Sequence, residues 1–291
     1  MQLIDTHCHI HEPTYPLSID ATLKRAHEAG VEKLICVGTS NQSSKQAVEF
    51  AAQHENVFAS VGVHPHDSKD GWENVGNILK SESSHLLTSA NRAGPAIESA
   101  PNFRSITNAK LGAAPLDVTR NPSSLVAIGE IGLDYFYTHS PRELQIRALN
   151  EQIELAQKYN LPIIFHVREA FDDFWPIFDN FHGIRGELHS FTDTQKHMEE
   201  GLKRGLYIGV NGISTFTKDE AQKAMFASIP LERLLLETDA PFLTPVPFRG
   251  KVNEPAFVRE IAEYHMRIRG ITLEQIATAT TTNADALFAL N

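Results

Sequence analysis

The feature that most constrains this chain is a rhythm of short, continuous apolar runs separated by longer segments of helical period. The runs are rich in Val, Ile and Leu and fall at Leu3-Ile4, residues 33–37, 57–61, 125–128, 162–165, 206–210 and 234–236, with a further short one at 186–188. Runs without polar alternation fit strands buried on both faces, the hallmark of parallel sheets. Between them, residues 21–29, 44–53, 141–159, 194–203 and 218–228 place apolar residues at helical spacing. Eight strands alternating with helices predict an α/β fold, a TIM-type (β/α)8 barrel, with its site at the C-terminal ends of the strands. A doubly wound open sheet is the alternative, but no glycine-rich dinucleotide turn follows the first strand.

Residues 1–291 are read as one domain, since barrels of this kind commonly occupy about 250 residues. Residues 81–121 break the rhythm: they are rich in Ser, Ala, Asn and Pro, lack a sustained period, and read as an inserted loop that serves as a lid or is disordered. The beginning of the sequence has no basic and apolar leader pattern and no apolar run is long enough to span a bilayer, so a cytoplasmic protein without membrane association is expected. Cys8 and Cys36 lie in apolar runs and read as buried packing residues. A formal charge of −10 argues against a broad basic face for duplex nucleic acid, without excluding a nucleic-acid substrate at a metal centre.

The chemistry-bearing residues collect at the ends of the apolar runs. The first run leads into Asp5-Thr6-His7-Cys8-His9, and strand alternation turns His7 and His9 to the same side. A lone H-x-H motif is a weak signal, more often two satisfied histidines than a metal site. Four further runs end in Glu130, His166, His189 and Asp239. Imidazoles and carboxylates are the ligands that first-row divalent ions select, and a carboxylate can bridge two ions. Six ligands at one barrel mouth suffice for two divalent metal ions, with zinc, manganese, iron and magnesium all compatible. His64, after the third strand, is a candidate to contact a substrate phosphate. Arg168 and Arg249 are candidate phosphate clamps, with Arg249 favoured over Arg168. Glu237 faces the same way as Asp239 and reads as a partner behind the ligands, while His11, His139 and His265 read as surface or helix residues.

With these residues in place, the sequence closely resembles the TatD family of metal-dependent deoxyribonucleases, within the amidohydrolase-like barrels. The matching pieces are IDTHCH at 4–9, VGVHPH at 61–66, GEIGLDY at 129–135, FHVREA at 165–170, LHSFT at 188–192 and ETDAPFLTP at 237–245, followed by PFRGK at 247–251 and NEP at 253–255. They span nearly the whole chain except residues 81–121, extra sequence that the family usually lacks. The resemblance implies that His7, His9 and Asp239 hold one metal, that His166 and His189 hold the other, and that Glu130 bridges them. It also implies hydrolysis of a phosphodiester by a metal-activated water, with Asp239 orienting that water and accepting its proton.

The expected partner is therefore nucleic acid as substrate, as DNA ends or single strands, with no obligate protein partner and a monomer as the default. A hydrolase of another ester, lactone or amide is an alternative, disfavoured because Glu130 stands where many such enzymes use a carboxylated lysine. A catalytically silent metal-binding scaffold is another, against which the full set of six ligands speaks. No aromatic ladder for base stacking stands out in the sequence.

Overall fold

A computed structural model describes residues 1–90 and 124–290. Its strands are β1 (Leu3–Cys8), β2 (Val31–Val37), β3 (Val57–Val61), β4 (Leu125–Asp134), β5 (Ile163–Arg168), β6 (Gly186–Leu188), β7 (Tyr207–Val210) and β8 (Leu234–Leu236). All neighbouring pairs are parallel and run in sequence order. The ring is closed by a bridge between Cys8 and Ala240, where the Asp239 and His9 amides donate to the carbonyls of His7 and Ala240 at 2.8 and 2.7 Å. The fold is thus a (β/α)8 barrel.

The helices are α1 (Ile19–Glu28), α2 (Asn41–Ala51), α3 (Glu73–Ala90), α4 (Arg142–Tyr159), α5 (Phe171–Phe178), α6 (Gln195–Lys203), α7 (Ile213–Phe216), α8 (Glu220–Ser228), α9 (Val258–Arg269) and α10 (Leu273–Phe288). Their starts follow local chemistry: Ser40, Thr194 and Asp219 accept backbone amides at the caps of α2, α6 and α8. Among the described residues no helix is long and apolar enough to cross a membrane. α3 continues to Ala90, so residues 81–90 extend a helix rather than begin a loop; the rest of the segment read as an insert, 91–121, lies outside the described residues.

β4 differs from its sequence reading in a way that shapes the site. The apolar run is read as leading into Glu130, and β4 continues beyond it to Asp134 with all ten residues buried. Its register against β5 shifts between Ile128 and Ile131, and Gly132 then pairs with His166. Gly132 has φ +156°, and a Cβ there would lie 1.7 Å from the His166 carbonyl oxygen. Only glycine lets the two backbones approach so closely.

His265, expected at the surface or on a helix, lies on α9 with none of its side chain exposed. Its Nε2 is 3.3 Å from the Ser214 hydroxyl. Burial, assisted by Arg269, pushes its pKa down from 6.5 to about 3. Above pH 6.5 the ring is neutral in both folded and unfolded chains and costs nothing. As pH falls below 6.5, only the unfolded chain gains the proton, so stability drops by about 1.4 kcal/mol per pH unit toward pH 3. We predict that His265→Leu flattens the pH dependence of urea stability by about 2 kcal/mol between pH 6.5 and 5; an unchanged slope would contradict a neutral buried ring.

Candidate metal centre

The ends of β1, β4, β5, β6 and β8 converge on the floor of an open cavity of about 710 Å³. His7 Nε2 lies 3.1 Å from His9 Nε2 and 3.3 Å from a Glu130 carboxylate oxygen, and His9 Nε2 is 3.2 Å from Asp239 Oδ1. On the other side of Glu130, its Oε1 lies 2.8 Å from His166 Nδ1, 3.5 Å from His64 Nε2 and 3.6 Å from His189 Nε2. The six candidate ligands read from the sequence are therefore brought together around Glu130, with the His7 and His189 rings stacked 3.5 Å apart. His64 joins them at ligand distance from Glu130 and His166.

Neighbouring groups fix which nitrogen faces the centre. His9 Nδ1 lies 2.9 Å from the Val37 carbonyl, which can only accept, so the ring carries its proton there and turns the Nε2 lone pair inward. The Asp134 carboxylate lies 2.9 Å from His166 Nε2 and 3.0 Å from His66 Nε2, leaving His166 Nδ1 toward Glu130. Glu237 Oε1 is 3.0 Å from His189 Nδ1 and accepts the Ser190 amide at 2.7 Å, which places it behind the ligands as its position two residues before Asp239 suggests. Asp5 ties β1 to the chain after β8 by accepting the Thr238 amide at 2.8 Å and the Thr238 hydroxyl at 2.6 Å. Asp239 itself has φ +60°, a strained conformation for a non-glycine residue that this stitching holds in place.

This donor set fits divalent cations. Inward-facing imidazole lone pairs only 3.1 Å apart repel each other unless a proton or cation lies between them, and the surrounding carboxylates favour the cation. Burial opposes charge at Glu130 and Asp239, but the histidines outweigh it: His189 and the hydrogen bonds from His166 and His7 hold Glu130 well below the usual range, and His9 and His189 hold Asp239 down. Burial also opposes charge on His9, His166 and His189. Carboxylates override it in each case, Asp239 for His9, Asp134 for His166, and Glu237 for His189, which is pushed up to about 10. His189 therefore holds a second proton at neutral pH in the metal-free protein and must release it to bind a cation. We predict that titration calorimetry in buffers of differing ionisation enthalpy shows at least one proton released per ion near pH 7, with affinity falling as pH drops; uptake without proton release would contradict this.

The remaining candidates separate. Arg168 lines the cavity, its guanidinium 3.9 Å above the Phe136 ring. Arg249, favoured from sequence, does not line it: the guanidinium packs 3.8 Å above Phe216 and donates to the Thr244 carbonyl at 2.7 Å. His139, read as surface, lies at the cavity rim beside His66, and His11 is buried against Ser43 and Glu12 rather than exposed. Cys8 and Cys36 are free and buried, as their apolar settings predict. Sequence reasoning gave no role to Asp134 or Asp5, although both stand inside the quoted motifs. Nor did it single out Glu187, buried without a hydrogen-bond partner next to His7 and Glu237. A carboxylate in an otherwise apolar strand was the available signal for Glu187.

A closed parallel barrel with a histidine-carboxylate cluster at its C-terminal mouth defines the class of metal-dependent hydrolases. The family model described as TatD related DNase matches residues 4–289, and the chain belongs to the TatD family. It is 33% identical, over 99% of its length and all of the relative's, to a protein named uncharacterized metal-dependent hydrolase YabD of Bacillus subtilis. It is also 33% identical, over 93% of each chain, to a 3′-5′ ssDNA/RNA exonuclease TatD of Erwinia amylovora. Among solved structures, the TatD homologue YjjV of Escherichia coli superposes with a TM-score of 0.77 at 27% identity, covering 99% of this chain and 98% of the other.

Proposed function

We propose that this metal-dependent hydrolase is a nuclease that removes nucleotides from the ends of single-stranded DNA. The observation that carries the reading is Glu130, a buried carboxylate within 3.6 Å of histidines from β1, β3-β4, β5 and β6, at the floor of a cavity open enough for a strand end. The relative named as a 3′-5′ ssDNA/RNA exonuclease aligns over nearly the whole chain and supports the same substrate class. His7, His9 and Asp239 would hold one ion and His166 and His189 a second, with Glu130 within reach of both sets; zinc, manganese and magnesium suit these donors. Bound divalent ions supply Lewis acidity, acidifying water and offsetting phosphate charge.

The protein's own groups do the rest. Asp239, held ionised by its histidine neighbours, is the proton acceptor for the attacking water. His64, kept neutral by burial, can hydrogen-bond a phosphate oxygen. Arg168 and Lys69 line the same cavity and supply the positive charge that a phosphodiester requires, while Arg249 buttresses the loop that carries Thr244. Two free buried cysteines suit a cytoplasmic setting. Hydrolysis of bis-p-nitrophenyl phosphate should exceed that of lactone and amide substrates by more than a hundredfold in metal-loaded protein; the opposite order would assign the barrel to another ester or amide.

A further inference from the structure

A second cavity of about 490 Å³ adjoins the metal-bearing one, and the two share His9, Thr39 and Phe242. Phe242 divides them. It is 61% exposed, although it stands only three residues from Asp239, a half-buried candidate ligand. The exposure does not come from a loose loop. The Phe242 amide donates to the Asp239 carbonyl at 2.8 Å, and buried Asn253 donates to the carbonyls of Thr238 and Phe242. The next residue's carbonyl rests on Gly212, where a Cβ would lie only 1.9 Å away. The backbone thus holds an apolar ring out at the boundary between two cavities.

The charge of the second cavity selects what it can hold. Lys69 and Arg168 line the metal-bearing cavity, whereas the second is lined by no lysine or arginine among the described residues and contains Glu12. Glu12 pairs with His11 at 3.5 Å, behind the cavity wall. Such a wall offers phosphate no lysine or arginine to hold it. Gln42 and Gln46 offer neutral amides, and Phe242 offers a flat π-face. A neutral, flat, hydrogen-bonding group fits this combination, and base-aromatic stacking is tolerant of sequence.

We propose that Phe242 is the stacking face of a nucleobase subsite, formed by the second cavity, that seats the base flanking the scissile phosphate of single-stranded DNA. The inference rests on the nuclease reading above. The stacked base draws the strand end across the rim so that its phosphate reaches the metal-bearing cavity, and a duplex, whose bases are already stacked and paired, cannot offer one.

The test uses metal-loaded protein and 5′-labelled single-stranded oligonucleotides, intact or carrying a tetrahydrofuran abasic residue at either the 3′-terminal or the penultimate position. Wild type should lose about tenfold in kcat/KM when the seated base is absent, at one of the two positions. Phe242→Ala should be about tenfold slower on the intact strand and lose nothing more at that position, and Phe242→Trp should retain the base effect. Phe242→Leu, which keeps apolar bulk without a π-face, should melt like wild type and cleave like Phe242→Ala. If Phe242→Ala and wild type show the same base-dependence at both positions, the subsite is overturned. Wild type that cleaves neither intact nor abasic strands would overturn the nuclease reading itself, and the subsite with it, a result separable because it needs no variant.

Discussion

Glu130→Ala is expected to lower hydrolysis by at least about a thousandfold, the largest effect of any single side-chain removal in this protein. The Glu130 carboxylate lies within 3.6 Å of His7, His166 and His189, so its loss strips a donor shared by histidines from β1, β5 and β6 at once. A thousandfold corresponds to about 4 kcal/mol of lost transition-state stabilisation. The loss should appear together with a lower metal content by atomic spectroscopy, since five histidines left around an unfilled carboxylate position repel one another once protonated. A variant that keeps both its metal and its rate would remove Glu130 from the centre of the account. Glu130→Asp, which retains the charge with a shorter reach, should recover part of the metal content and less of the rate.

Gly132→Ala is expected to damage fold and site together. The added Cβ meets a backbone oxygen at 1.7 Å, and φ +156° is a conformation that L side chains rarely adopt. Neither partner is a flexible side-chain tip, so β4 and β5 must move apart. The expected cost is about 3 kcal/mol or more in urea unfolding, a large part of a typical domain's total stability. Because Gly132 lies between Glu130 and Asp134 and pairs with His166, the same shift should loosen metal binding. Gly183→Ala is the control: that glycine also has positive φ, but nothing lies within 4 Å of the added Cβ, so only conformational strain remains. Equal stability losses in the two variants would show that the close approach at Gly132 is not what matters there.

The sequence made the barrel legible because buried parallel strands leave uninterrupted apolar runs, and all eight strands begin within a few residues of such a run. β4 overruns its apolar run furthest, at its C-terminal end. Gly129 and Gly132 permit a register shift and a close approach that carry the strand on to Asp134. Among the helices, α5 escapes the period because FDDFWPIF is nearly all apolar and contains Pro176. α10 is muted by its threonine run, although the reciprocal capping of Thr272 and Gln275 marks its start.

The clustering of the six candidate residues was readable for a related reason: a polar residue at the end of a buried run points into the barrel mouth. What lies behind them was not. Asp134 acts through His166 and His66 across 32 and 68 residues of sequence, and Asp5 through Thr238 across 233. Such pairings are set by the closure of the ring, not by local spacing. Arg168 and Arg249 show the same limit. Both are arginines near motif ends, yet only the folded chain reveals that Phe216 and the Thr244 carbonyl have already claimed Arg249, while Arg168 opens onto the cavity.

The most direct measurement is 3′-end release from labelled single-stranded DNA by metal-free protein reconstituted separately with magnesium, manganese, zinc and cobalt, alongside Glu130→Ala. The account predicts release that depends on added metal and is abolished by the substitution. No release with any of the four ions, under conditions where the protein is folded and metal-bound, would contradict a nuclease assignment and turn attention to lactone and amide substrates for the same centre.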